Sequence, residues 1–82
     1  MKFFEYKAKK VWIEDSFIHV MLQDGREGKL PIQQFKSLAN AHPEALHNFE
    51  IINEYALHWP QLDEDLSVEG FFVPSDALMQ HT

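Results

Sequence analysis

Residues 9–30 read KKVWIEDSFIHVMLQDGREGKL, and this stretch decides the fold. Lys9 to Glu14 and Phe17 to Gln23 are short segments rich in β-branched and aromatic side chains, which fit a pleated, half-buried surface. Asp15-Ser16 separates them, a pair whose side chains bond nearby backbone amides and so favour a turn. Asp24-Gly25 follows the second segment. This is the dipeptide of a type I′ hairpin turn, whose glycine tolerates positive φ, and Arg26 to Leu30 then returns as a third strand. The stretch therefore predicts a three-stranded antiparallel meander. In its middle strand Ile18, Val20 and Leu22 fall on one face and Phe17, His19 and Met21 on the other, so both faces read as partly covered. His19 reads as an edge or hydrogen-bonded structural histidine before it reads as a ligand.

Downstream of the meander the period changes. After Pro31, Ile32, Phe35, Leu38 and Ala39 recur with Gln33, Gln34, Lys36 and Ser37 outward, which predicts one amphipathic helix. Asn40-Ala41-His42 interrupts it. Pro43-Glu44 opens a second short helix to about Asn48, with Glu44 near the positive end of the helix dipole and His42 as a poor N-cap. Glu50 to Asn53 and Tyr55 to Trp59 read as a second hairpin turning at Asn53-Glu54, closed by Pro60, which cannot donate to a ladder. Ser67 is expected to N-cap a last short helix from Val68 to about Val73, stopped by Pro74 and Ser75. The predicted class is α+β: the meander, one or two helices, a second β-hairpin and a short C-terminal helix.

Composition bounds the remaining choices. The chain has 82 residues, and a domain of this size buries only about 60–65% of its unfolded surface, so its core must be aromatic-rich. Seven Phe, two Trp and two Tyr meet that need. The expected organisation is a single small domain over 1–82 with frayed ends at 1–7 and 75–82. With no cysteine there is neither a disulfide framework nor a thiolate metal site. The first ten residues carry no apolar leader core, and no run of about 18 apolar residues occurs anywhere. The expectation is a cytoplasmic protein without membrane contact.

Charge is segregated along the chain. The formal net charge is −6, and all seven basic residues precede position 37, whereas eight of the thirteen acidic residues follow Lys36. The second half thus carries no Lys or Arg, which favours a basic partner and repels phosphate. A plain solubilising role for these acids competes with that reading.

The densest acidic point lies in His58-Trp59-Pro60-Gln61-Leu62-Asp63-Glu64-Asp65-Leu66-Ser67-Val68-Glu69-Gly70. This block, preceded by Leu22-Gln23-Asp24-Gly25-Arg26, by Leu30-Pro31-Ile32 with Phe35 and Leu38, and by Pro43-Glu44, resembles the prokaryotic family catalogued as domain of unknown function 2442. The resemblance spans about residues 9–72. It implies an α+β domain of three strands, a helix and a hairpin, found alone or beside a helix-turn-helix domain, and it implies no activity. The signature positions within it are Asp24, Gly25, His58, Trp59, Pro60, Leu62 and Ser67. Two positions depart from the family pattern: Asn53-Glu54-Tyr55-Ala56 stands where a glycine-rich turn is usual, and His42 stands where a threonine cap is usual.

Several chemistries compete for the acidic block. Metal binding by His58 with Asp63, Glu64 and Asp65 needs ligands that converge, and consecutive carboxylates point in different directions. Acid–base work by a carboxylate pair near Trp59 needs one member desolvated. A structural reading accounts for every residue type: Trp59 and Leu62 pack inward, Pro60 sets the strand exit, and the acids meet backbone donors or the start of the last helix. No catalytic residue, metal or cofactor is assigned, and an enzyme is the least favoured class. The leading expectation is a non-enzymatic interaction or regulatory module, antitoxin-like in character, that binds a basic protein through Glu54, Asp63, Glu64, Asp65 and Glu69. Alternatives are an acidic, phage-type inhibitor that mimics nucleic acid and a weak nucleic-acid-binding accessory domain using Lys7, Lys9 and Lys10 with Tyr6 and Trp12. The acidic half disfavours direct nucleic-acid binding. A homodimer through sheet edges or exposed aromatics such as Phe3, Phe4 and Tyr6 stays open.

Overall fold

In the computed structural model, which describes residues 6–73, the chain folds as two three-stranded antiparallel sheets linked by short helices. The first sheet is the predicted meander: β1 (Ala8–Glu14), β2 (Phe17–Leu22) and β3 (Glu27–Pro31), in the order β1-β2-β3. Its first turn is the left-handed one. Asp15 and Ser16 take φ of 53° and 68°, the type I′ signature that matches the right-handed twist of a hairpin. The second turn departs from expectation. Only Gly25 is positive, at φ 96°, while Gly25 N donates to Leu22 O and Leu22 N to Arg26 O. Asp24 thus stays right-handed and the loop is three residues long, a turn finished by a left-handed glycine. The cause is local: Asp24 Oδ1 accepts from Arg26 N at 3.0 Å, which favours the right-handed turn.

A 3-10 turn (Ile32–Gln34), α1 (Lys36–Ala39) and α2 (Pro43–Leu46) connect the sheets. The single helix expected across Ile32 to Ala39 is broken at Phe35, whose backbone is extended at φ −116° and ψ 109°. Ile32, Phe35 and Leu38 are spaced by three. With the break in place Ile32 and Leu38 are buried and Phe35 packs against the same core. α2 begins as expected with Pro43 at its first position, and His42 supplies no side-chain cap.

The second sheet has one strand more than the predicted hairpin: β4 (Glu50–Ile52), β5 (Ala56–Trp59) and β6 (Glu64–Ser67), in the order β4-β5-β6. Asn53 and Glu54, at φ 50° and 70°, make another left-handed turn in which Tyr55 N donates to Ile52 O. β6 occupies what read as an acidic loop. Its pattern is period two, with Leu62, Leu66 and Val68 facing the core, and Glu64 interrupts the series. Ser67 accordingly lies in a strand and caps nothing. The last element is a 3-10 turn (Glu69–Phe71) whose preceding residue, Val68, offers no side-chain bond.

The core lies where the inner faces of both sheets meet the helices. Ile18, Val20 and Leu22 from β2, Leu57 and Trp59 from β5, and Leu38 and Val68 are essentially inaccessible. No polar or charged side chain is fully buried among the described residues. Gly28, paired with Val20, lets the last 3-10 turn approach β3, for a Cβ there would meet Phe71 O at 2.7 Å. The expected fraying of the ends falls mostly on residues outside the described range. Tyr6 and Lys7, included in it, are held: Tyr6 stacks on Phe72 at 5.7 Å, and Gln23 N donates to Lys7 O.

Candidate protein-interaction surface

The residues of the His58–Gly70 block separate by strand parity. Trp59 turns into the core, fully buried, where its Nε1 donates to Leu46 O at 2.8 Å and its ring meets that of Phe49 at 5.7 Å. It thereby ties β5 to α2 with its one polar atom satisfied. Pro60 begins the β5–β6 turn on the surface, Leu62 N donates to Trp59 O, and Leu62 packs against the core. Asp63 completes that turn at φ 53°, a conformation aspartate tolerates better than most residues.

Glu64 and Asp65 then point to opposite faces. Glu64, paired with Trp59, is half-buried and accepts a hydrogen bond from Ser37 Oγ at 2.5 Å, joining β6 to α1. Asp65 is exposed and pairs across the strand with His58, Nδ1 to Oδ1 at 2.5 Å. On the other side of His58 stands Glu50 of β4. The outer face of the second sheet therefore carries a row Glu50–His58–Asp65, an imidazole between two carboxylates. The hydrogen bond that His58 donates to Asp65 raises the His58 pKa above its ordinary value; partial desolvation opposes the shift, and the charges of Asp65, Glu50 and Asp63 add to it.

The five acids expected to bind a partner are consequently not one cluster. Glu54 sits in the β4–β5 turn, accepting from Gln23 Nε2 at 2.7 Å through its side chain and from Ala8 N through its carbonyl. Glu69 follows β6 at that same end of the sheet. Asp63 is at the opposite end, and Asp65 lies on the outer face between them. Glu64 is committed to Ser37. Among the described residues, no three His, Asp or Glu side chains are placed so that they could hold a metal ion.

Sequence reading missed the apolar part of this surface. Among the described residues, the exposed large hydrophobic side chains are Ile51 and Ile52, each 40% accessible, and Tyr55 at 46%; all lie in β4 or the turn after it. They read as ordinary strand residues, and only the strand order shows that β4 is an edge.

The first sheet presents a different outer face. Its cross-strand rows run Glu14–Phe17–Pro31, Trp12–His19–Lys29 and Lys10–Met21–Glu27. The rings of Trp12 and His19 stack at 5.0 Å, and His19 Nε2 lies 3.3 Å from Glu14 O, which gives this histidine the structural role expected of it. Lys10 and Lys29 hold their ammonium groups 5.3 Å from the Trp12 ring and 4.5 Å from the Phe17 ring. Of the aromatics considered for stacking on nucleic acid, Tyr6 is instead placed against Phe72 and below Arg26. Asp24, whose carboxylate accepts from the Arg26 amide and pairs with its guanidinium, is held below the usual pKa range.

Two antiparallel sheets closed by short helices define a small α+β domain. Its core is mainly aliphatic rather than aromatic-rich as expected, with Trp59 and Phe71 the aromatics buried among the described residues. The chain belongs to the family described as protein of unknown function DUF2442, whose model matches residues 8–77. A solved structure of a protein of unknown function from Rhodospirillum rubrum is similar, at 28% identity and a TM-score of 0.69 over 84% of this chain and 93% of that one. No curated protein matches the chain. No helix among the described residues is long and apolar enough to cross a membrane.

Proposed function

We propose that this domain is a non-enzymatic interaction module that binds a basic protein through its second sheet, in the manner of the small regulatory or antitoxin-like partner of a basic neighbour. The observation that carries this reading is the coincidence of charge and apolar exposure on one sheet. Glu50, Asp63 and Asp65 stand on or beside the outer face and Glu54 on its turn; on the same edge Ile52 is exposed on the outer face, Ile51 on the opposite one, and Tyr55 in the turn. No Lys or Arg follows position 36. An exposed apolar edge flanked by charge of one sign both desolvates well and selects the charge of its partner.

Affinity capture from the native host tests the reading. A basic protein should be retained at low salt, released as salt rises, and lost when Glu50 and Asp65 are both changed to Lys. Retention unaffected by the double charge reversal would overturn it.

A second reading has its own observation, the Trp12–His19 stack with Lys10 and Lys29 on the first sheet. Stacked rings beside ammonium groups suit the bases and phosphates of a single strand. Glu14 and Glu27 on the same face oppose it. A gel shift with mixed single-stranded DNA and RNA at low salt, lost on Trp12→Ala, is its test.

A further inference from the structure

The four sheet edges are not equally guarded. An edge strand exposes unpaired backbone donors and acceptors, and proteins blunt such edges with lysine, proline, bulges or charge. β1 has Lys9 and Lys10 together with a register shift between Ala8 and Lys10. β3 carries Lys29 and ends on Pro31. β6 carries Glu64 and Asp65 at its start. β4, three residues long, carries one charge, Glu50 at its start, but no lysine, no proline and no bulge; it pairs among the described residues only with β5 and leaves Ile51 and Ile52 exposed.

Building on the proposed partner-binding role, we infer that β4 is the docking strand itself, extended by an antiparallel strand from a basic partner. Strand addition takes its affinity from the backbone ladder and its specificity from alternate side chains. An incoming strand antiparallel to β4 meets Ile52, Ile51 and Glu50 in that order. It needs β-formers opposite the two isoleucines, then Lys or Arg opposite Glu50, the first member of the Glu50–His58–Asp65 row. The same geometry disfavours a second copy of this chain as the occupant: each copy brings a net charge of −6, and a β4–β4 pairing offers Glu50 no cation.

The probe is the synthetic peptide Lys-Thr-Val-Val-Lys-Val, titrated into isotope-labelled full chain and followed by backbone amide shifts. Saturable shifts centred on Glu50, Ile51 and Ile52 are expected. They should weaken as salt rises, vanish when the peptide amides facing β4 are N-methylated, and lose about tenfold or more in affinity with Ile52→Lys, whose melting temperature confirms its fold. Binding that survives N-methylation overturns strand addition while leaving the charged-surface reading standing. Equal binding by a peptide with Glu in place of both Lys removes the basic partner and that reading with it. A peptide-free dimer, seen by sedimentation and dissolved by Ile52→Lys, assigns the edge to a second copy and overturns the inference.

Discussion

The two sheets share a plan and differ in how they end. Each is a meander of three antiparallel strands with its inner face in the common core, and each contains one tryptophan. In the first sheet Trp12 lies on the outer face against His19, and both edges carry lysine; in the second, Trp59 is fully buried and one edge carries bare isoleucine. The charge asymmetry of the chain is therefore also spatial. Lys9, Lys10, Arg26 and Lys29 belong to the first sheet or its turns, and Glu50, Glu54, Asp63, Glu64 and Asp65 to the second. One plan of three strands can thus carry opposite surfaces: lysine guards both edges of the first sheet, and the charged side chains of the second are, apart from His58, all acidic.

The tryptophans give the largest test of that contrast. Trp59→Ala removes a buried ring and orphans the Leu46 carbonyl, at a cost of about 3–5 kcal/mol. Trp12→Ala loses a surface stack and should cost about 0.5–1.5 kcal/mol. Urea denaturation of the two variants measures both. Equal losses would mean that the outer face of the first sheet is as much a core as the inner one.

How the two sheets read from sequence differs for the same reason. The first has a clean alternation in Ile18, Val20 and Leu22 and a turn pair on either side, so strands, order and buried face were all legible. In the second, β6 was hidden because Glu64 and Asp65 disfavour strands and because the inward-facing Glu64 breaks the period of Leu62, Leu66 and Val68. Only its hydrogen bond to Ser37, 27 residues away, makes that position tolerable, and a contact so distant leaves no local signal. The helix break at Phe35 left no such signal, since Ile32, Phe35, Leu38 and Ala39 also fit one face of a continuous α-helix. Of the candidate site, the sign was legible and the edge was not, because an edge is a property of strand order.

Gly28 gives the next test, since it is where the first sheet accepts the chain that leaves the second. A methyl at Gly28 would lie 2.7 Å from Phe71 O and 3.0 Å from the Phe72 ring, so Gly28→Ala should cost about 1–3 kcal/mol. A denaturation midpoint equal to the parent's would show that the Glu69–Phe71 turn can slide away from β3 without loss. A smaller effect is expected at the staple between β6 and α1. Ser37→Ala and Glu64→Gln should each cost about 1–2 kcal/mol, and their double mutant should fall short of the sum because they share one hydrogen bond. Full additivity would mean that the second sheet is held by its apolar face alone.

The smallest effect, and the one that bears on the second sheet's charge, is the titration of His58. The group's folded pKa lies above its unfolded value of about 6.5, chiefly through the hydrogen bond it donates to Asp65. A base with a raised folded pKa binds its proton more tightly when folded. Its contribution to stability is complete below pH of about 6.5 and is lost as pH rises through the folded pKa. Over the same window the Glu50–His58–Asp65 row loses its positive member, and the outer face becomes more negative. Melting temperatures of the parent and of Asp65→Asn, taken across that window, should draw together as pH rises, and the His58 ring resonances should titrate at lower pH in the variant. Binding of a basic partner should strengthen as His58 deprotonates, in the direction opposite to stability. If both proteins keep a constant separation in melting temperature, the pair contributes nothing to the fold, and the row acts only through its charge.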